Sequence, residues 1–161
     1  MGIRVRRAER GDVETLLGLV AALADYEKLD PPSEAARGRL AAHGWPDVGQ
    51  PRFHAWLAEE SGPGPGDYTP VGYAITFFTY SSFLARPTLY IEDIFVLPDR
   101  RRGGAGTALF QALTQAAREE GCGRVEWVVL DWNTMAQNFY RKLGAAHLAD
   151  WQYYRLTLTD E

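Results

Sequence analysis

The stretch Ile91-Glu-Asp-Ile-Phe-Val-Leu-Pro-Asp-Arg-Arg-Arg-Gly-Gly-Ala-Gly-Thr107 constrains the fold more than any other segment, because an apolar strand runs straight into a glycine-rich turn that opens a helix. Residues 88–97 are dominated by β-branched, aromatic and aliphatic types suited to a pleated, buried strand, and Pro98 ends it. Gly103, Gly104 and Gly106 follow. Lacking Cβ atoms, they let consecutive backbone N–H groups converge on an anion, and the first turn of the next helix adds its positive dipole end. A pyrophosphate fits such a cradle. Glycines between a strand and a helix also make plain turns, so the rest of the chain has to decide.

Two familiar phosphate loops do not match. A Walker A loop ends in Gly-Lys-Ser/Thr, whereas Gly106 is followed by Thr107 and Ala108. A dinucleotide fingerprint places a third small residue where Leu109 stands and needs two βαβ halves, for which too little chain follows Gly106. The Arg100-Arg101-Arg102 run beside the turn is either a solvated corner or a set of partners for ligand phosphates.

The 161 residues suit one domain, residues 1–161, able to remove roughly 70% of the unfolded chain's surface from water. Basic residues number 17 against 21 acidic, a net charge of −4 that argues against a general nucleic-acid binder. No apolar run is long enough to span a membrane, and no secretory signal is read at Met1-Gly-Ile-Arg, so a cytoplasmic location is the expectation. The single Cys122 excludes an internal disulfide, and His43, His54 and His147 are too scattered for metal-ligand spacing, so no metal is expected.

Periodicity supplies the remaining elements. Ile3 to Arg7 alternates as a first strand; Val13, Leu16, Leu17, Val20 and Ala24 line one face of a helix, with Asp12 as its expected N-cap and Pro31-Pro32 as its stop. Ser33 caps a shorter helix to about His43. Strands are expected over 53–60 and 71–80, joined by the Gly/Pro-rich segment Ser61 to Pro70. Ala105, Leu109, Ala112, Leu113, Ala116 and Ala117 form the buried stripe of a helix ending near Gly121. A strand over Val125–Leu130, a helix over Met135–Leu143 closed by Gly144, and a last strand over Gln152–Leu158 complete the chain. This order, β-α-α-β-β-β-α-β-α-β, describes an α/β fold with a mixed sheet and helices on both faces.

Arg101-x-x-Gly104-x-Gly106 resembles the acetyl-CoA cradle of the GNAT N-acetyltransferases, and Asn133-Thr-Met-Ala-Gln-Asn-Phe-Tyr-Arg-Lys-Leu-Gly-Ala145 resembles their second signature. A narrower resemblance, to diamine acetyltransferases and especially the thialysine N-ε-acetyltransferase branch, rests on Tyr26-Glu-Lys-Leu29, Phe77-Phe-Thr-Tyr80, Tyr90-Ile-Glu-Asp-Ile-Phe-Val96 and Leu130-Asp-Trp-Asn133. It implies a GNAT-type, mostly antiparallel central sheet with helices on both faces, acetyl-CoA as cosubstrate, a small-molecule amine as acceptor, and a homodimer. Polyamine-acting members carry an Asp after the Phe-Thr-Tyr segment and acidic residues before the last strand. Here Ser81-Ser82 and Gln152 stand instead, which favours shorter lysine-like amines over spermidine or spermine.

The resemblance also implies site residues. Tyr140 is the candidate general acid for the departing thiolate, against the plain alternative of a core aromatic. Glu92 is the candidate base or ammonium anchor; Glu92 and Asp93 project to opposite faces if their strand is regular, so only one faces the substrate directly. Asp93 is equally readable as a buried, salt-bridged carboxylate. Tyr26 and Glu27 are candidates for the substrate's cationic part. The cofactor would lie along Ile94, Phe95 and Val96, its phosphates on Arg101, Arg102, Gly103, Gly104, Ala105, Gly106 and Thr107, and its arm near Asn133 and Ala136, although an Asn at a helix N-cap would look the same. An enzyme acting on a protein amine and a non-catalytic acyl-CoA-binding module stand as alternatives; Tyr140 and Glu92 beside the cradle speak against the second.

Overall fold

The computed structural model describes residues 2–159; Met1, Asp160 and Glu161, which the expected domain includes, lie outside the described residues. The chain forms two compact units, 1–127 and 128–161. In the first, the strands β1 (Ile3–Arg7), β2 (His54–Ser61), β3 (Tyr68–Ser81), β4 (Arg86–Val96) and β5 (Arg124–Trp127) form one sheet in the order β1-β2-β3-β4-β5. All neighbours are antiparallel except β4 and β5, which the helix α3 (Ala105–Glu119) links as a parallel pair. The helices α1 (Val13–Tyr26) and α2 (Glu34–Gly44) fill the crossover between β1 and β2.

Strand alternation explains the layering. Leu57, Tyr73, Ile75 and Phe95 point to one face and form a core with Leu16 and Leu19 of α1. The other face takes α3, which packs across all five strands through the buried Ala105, Leu109, Leu113 and Ala117. Phe110, absent from the expected stripe, is also buried, its ring centroid 5.0 Å from that of Trp127.

Several boundaries differ from the sequence reading for identifiable reasons. Strand β3 starts at Tyr68 and includes Pro70, which has no N–H for a ladder; Val71 beside it is the extra residue of a bulge, since Glu59 pairs with Pro70 and Ala58 with Gly72. Asp12 holds the position preceding α1 but makes no capping bond to that helix, because the Arg6 guanidinium fork takes its carboxylate at 2.8 and 2.9 Å. Ser33 does cap α2, its hydroxyl accepting from the Ala36 N–H at 3.2 Å. The β5 ladder stops at Trp127 although the apolar run continues to Leu130.

The second unit contains α4 (Thr134–Lys142), followed by Gly144 in the left-handed region at φ 91°. The strand expected over Gln152–Leu158 is not formed among the described residues, since an alternating pattern makes a strand only when another backbone hydrogen-bonds to it.

One ionic network ties the sheet edge to the start of α1. Glu59 is 4% exposed, and its carboxylate accepts from Arg4 Nε at 2.6 Å and from Arg6 Nη2 at 3.0 Å. Burial pushes the Glu59 carboxyl upward, but the two guanidinium partners outweigh it and hold it below its ordinary value of 4.5; Arg6 likewise lowers Asp12. Depressed carboxyls stabilise the fold above their unfolded values, and that contribution is lost as pH falls through the folded ones. Glu59→Gln should therefore cost about 1–3 kcal/mol near neutral pH. Thermal denaturation from pH 7 down to about pH 3 should show the gap to wild type closing on the acid side; a gap independent of pH would mean that charge contributes nothing here.

Candidate functional site

The site of the first unit is organised by an irregularity in β4. Thr76 lies opposite Ile91, yet its neighbour Ile75 lies opposite Asp93, so Glu92 is the extra residue of a bulge. In a regular strand Ile91 and Asp93 would share a face. With one residue added they point to opposite faces: Ile91 to the α3 side, Asp93 and then Phe95 to the α1 side. Glu92 and Asp93 would project to opposite faces of a regular strand; here the bulge turns Asp93 toward α1, and Glu92, the carboxylate that the resemblance favours for the substrate, is exposed. Beyond Ile91↔Trp127 the pairing with β5 ends, while β3 continues to pair with β4 to Val96. One backbone edge of residues 94–96 thus has no ladder partner within this unit.

On the α1 face Asp93 is hydrogen-bonded by Tyr73, and its charge is felt by Glu27. The Tyr73 hydroxyl donates to Asp93 Oδ2 at 2.9 Å. Tyr26, at the last turn of α1, sets its ring centroid 5.9 Å from that of Phe95, and Glu27 follows where the helix ends. Burial, and then the charge of Asp93, raises the Glu27 carboxyl above its ordinary range. Burial also raises Asp93, with the Tyr73 hydrogen bond partly opposing the rise. The Tyr73 phenol is itself pushed well upward by burial and by Asp93, so it stays a donor. Two carboxyls that neither bury nor approach each other comfortably when ionised make a place that a cation would relieve.

The arginine run divides its tasks. Arg100 Nη1 donates to Glu60 Oε2 at 2.6 Å, fixing the turn to the end of β2. Arg101 folds back: its guanidinium carbon is 4.6 Å from the Tyr26 ring centroid and 5.6 Å from that of Phe95, and its Nε donates to the Val96 carbonyl at 3.1 Å. Arg102 is exposed and adopts φ 69°, and Gly104, at the head of α3, adopts φ 92°. The first intrahelical bond runs from the Ala108 N–H to the Gly104 carbonyl at 2.9 Å, so the N–H groups of Ala105, Gly106 and Thr107 have no acceptor within the helix. The glycine-rich segment thus forms a left-handed turn that opens α3 with these three N–H groups at the helix N-terminus.

Asn133, Ala136 and Tyr140 belong to the second unit. Asn133 caps α4, its side-chain oxygen accepting from the Ala136 N–H at 3.2 Å, which is the capping role the sequence left open. Ala136 and Tyr140, four residues apart, share a helix face, and the Tyr140 carbonyl accepts from Leu143 and Ala145 as the helix closes. Among the described residues no group of three or more His, Cys, Asp or Glu is placed to hold a metal, and no helix is long and apolar enough to cross a membrane.

Sequence reasoning missed Tyr73. Its signal was present: a phenol at an inward position of a strand flanked by Val71, Ala74 and Ile75 needs a hydrogen-bond partner wherever it is buried.

Comparison with known proteins bears out the resemblance carried by residues 101–106 and 133–145. The model of the acetyltransferase (GNAT) family matches residues 19–145. A thialysine N-epsilon-acetyltransferase of Bos taurus is 35% identical over 158 residues, covering 95% of this chain and 91% of its own. An L-ornithine N5-acetyltransferase of Arabidopsis thaliana is 45% identical over 91 residues, 56% of this chain and 40% of that protein. A solved structure described as a probable acetyltransferase shares the fold, with a TM-score of 0.80 at 20% identity over 98% of this chain and 99% of that one. Signatures, sheet order and near-complete coverage agree, and the chain belongs to the GNAT acetyltransferase family as one of its N-acetyltransferases.

Proposed function

We propose that the protein moves an acetyl group from acetyl-CoA to the primary amine of a small lysine-like compound or short diamine, by direct attack of the amine on the thioester. The observation that carries this reading is the Glu27 and Asp93 carboxyl pair, half-buried on the α1 face beside the unpaired backbone edge of β4 and the turn that opens α3. The names of the thialysine and ornithine relatives support a lysine-like acceptor.

The residues present fit acetyl-CoA: N–H groups of Ala105, Gly106 and Thr107 and the exposed Arg102 would meet the pyrophosphate, and the edge of Ile94, Phe95 and Val96 would meet the amide arm. When bound, acetyl-CoA supplies an electrophilic carbonyl carbon and a thiolate leaving group. Glu27 and Asp93 hold the ammonium form of the substrate. An amine of this kind titrates near 10.4, so it has to lose a proton before attack. Glu92, exposed at the bulge, takes that proton through water. As the C–S bond breaks, the Tyr140 hydroxyl would give its proton to the sulfur and recover one from the newly acylated nitrogen, so that neutral thiol and amide leave and the proton taken through Glu92 passes to solvent. In this reading the enzyme is cytoplasmic, the location expected from its sequence, and a homodimer, as its family resemblance implies.

Three measurements test the proposal. In a free-thiol release assay, thialysine or a short diamine should exceed spermine in kcat/KM, because each desolvated ammonium needs a carboxylate and this site offers few; a spermine preference would reverse the assignment. Gly104→Val forces a β-branched residue to φ 92°, where its Cβ meets no protein atom within 4 Å, so the protein itself can accommodate it at about 1–2 kcal/mol. Calorimetric affinity for CoA should nonetheless drop at least about tenfold as the side chain enters the anion's space, and unchanged affinity would remove the cradle from the site. Tyr140→Phe should lower kcat by about 10²- to 10⁴-fold with little change in acetyl-CoA affinity or Tm. Wild-type turnover in that variant would make Tyr140 a packing residue.

A further inference from the structure

Tyr73 is fully buried, at 0% exposure, in the centre of β3, and an aliphatic side chain or phenylalanine would fill the same volume without a polar atom. Its ring lies across the ladder from Phe95, with centroids 6.5 Å apart. Asp93 is two residues from Phe95 on the same face, which is the diagonal position a tyrosine can reach. The hydroxyl reaches it, at 2.9 Å from Oδ2. This pairing exists only because of the bulge at Glu92, which brings Asp93 to the side where Tyr73 points.

The groups around Asp93 come from four segments. Tyr73 faces it from β3, Tyr26 and Glu27 from the end of α1, Glu92 precedes it on β4, and the Arg101 guanidinium stacks on Tyr26 and Phe95 next to it. Burial works against a charged Asp93, whereas the phenol stabilises the charged form.

We infer that Tyr73 is a positioning residue for amine recognition: its hydroxyl pins Asp93 Oδ2 and leaves Oδ1 to the substrate's ammonium group. The inference rests on the amine-binding role proposed for Asp93. Tyr73 touches neither substrate nor cosubstrate in this scheme, so its effect belongs to amine affinity and to its pH dependence. Transfer itself should be indifferent to it.

The test is steady-state kinetics on the full-length enzyme with thialysine as the amine probe. Tyr73→Phe should raise the amine KM about tenfold, the loss of one hydrogen bond to a charged group, with kcat and the acetyl-CoA KM within about twofold of wild type. The acidic limb of its kcat/KM profile should move up by about one pH unit, because the undonated carboxylate protonates more readily. In an Asp93→Asn background the same replacement should add nothing to the amine KM. Site-specific 3-fluorotyrosine at position 73, a stronger donor that keeps the ring, should move the acidic limb the opposite way, and it provides the readout if the phenylalanine variant folds poorly. A Tyr73→Phe enzyme with unchanged amine KM and an unshifted limb, alongside an impaired Asp93→Asn, overturns the role of Tyr73 while leaving the amine site in place. An Asp93→Asn enzyme with wild-type amine KM overturns the amine site and the inference with it.

Discussion

The single register shift between β3 and β4 governs the rest of the first unit. From Thr88 to Ile91 the strand β4 has a ladder on both sides; from Asp93 on it is paired to β3 alone. The same extra residue ends the shared ladder, exchanges which carboxylate faces α1, and sends Phe95 into the core while leaving the next stretch of backbone with an open edge. A sheet without the bulge would bury Asp93 under α3, among apolar side chains, and no hydrogen bond from Tyr73 could follow.

The fold was legible in the sequence wherever a pattern carries its own physics. The Gly103-Gly104-x-Gly106 turn, the apolar stripe of α3, the serine before α2 and the Asn133 to Gly144 helix each announce themselves through backbone freedom, periodicity or capping, and each is found. What remained hidden depends on partners distant in the chain. The bulge has no composition of its own, so the inward choice between Glu92 and Asp93 could not be read. Asp12 has the identity of an N-cap, yet Arg6 competes for it. Tyr73 looked like one more aromatic in a strand until Asp93 was placed diagonally across from it.

The protein treats its buried acids in two opposite ways. Glu59 is supplied with two guanidinium partners and stays charged, a structural arrangement at the sheet edge. Glu27 and Asp93 are half-buried, and only Asp93 receives a donor, the Tyr73 phenol, which leaves their desolvation only partly offset. Desolvation left partly uncompensated in this way sets Glu27 and Asp93 apart from the ion-paired Glu59.

The left-handed residues on either side of Gly103 carry one more consequence. Because Arg102 and Gly104 already hold the turn's curvature, and Arg100 is anchored on Glu60, the loop pays its ordering entropy when the protein folds. Its N–H groups at the start of α3 are already aimed in the folded protein. A turn ordered in this way keeps its donors in place with no further loss of loop entropy on meeting a ligand.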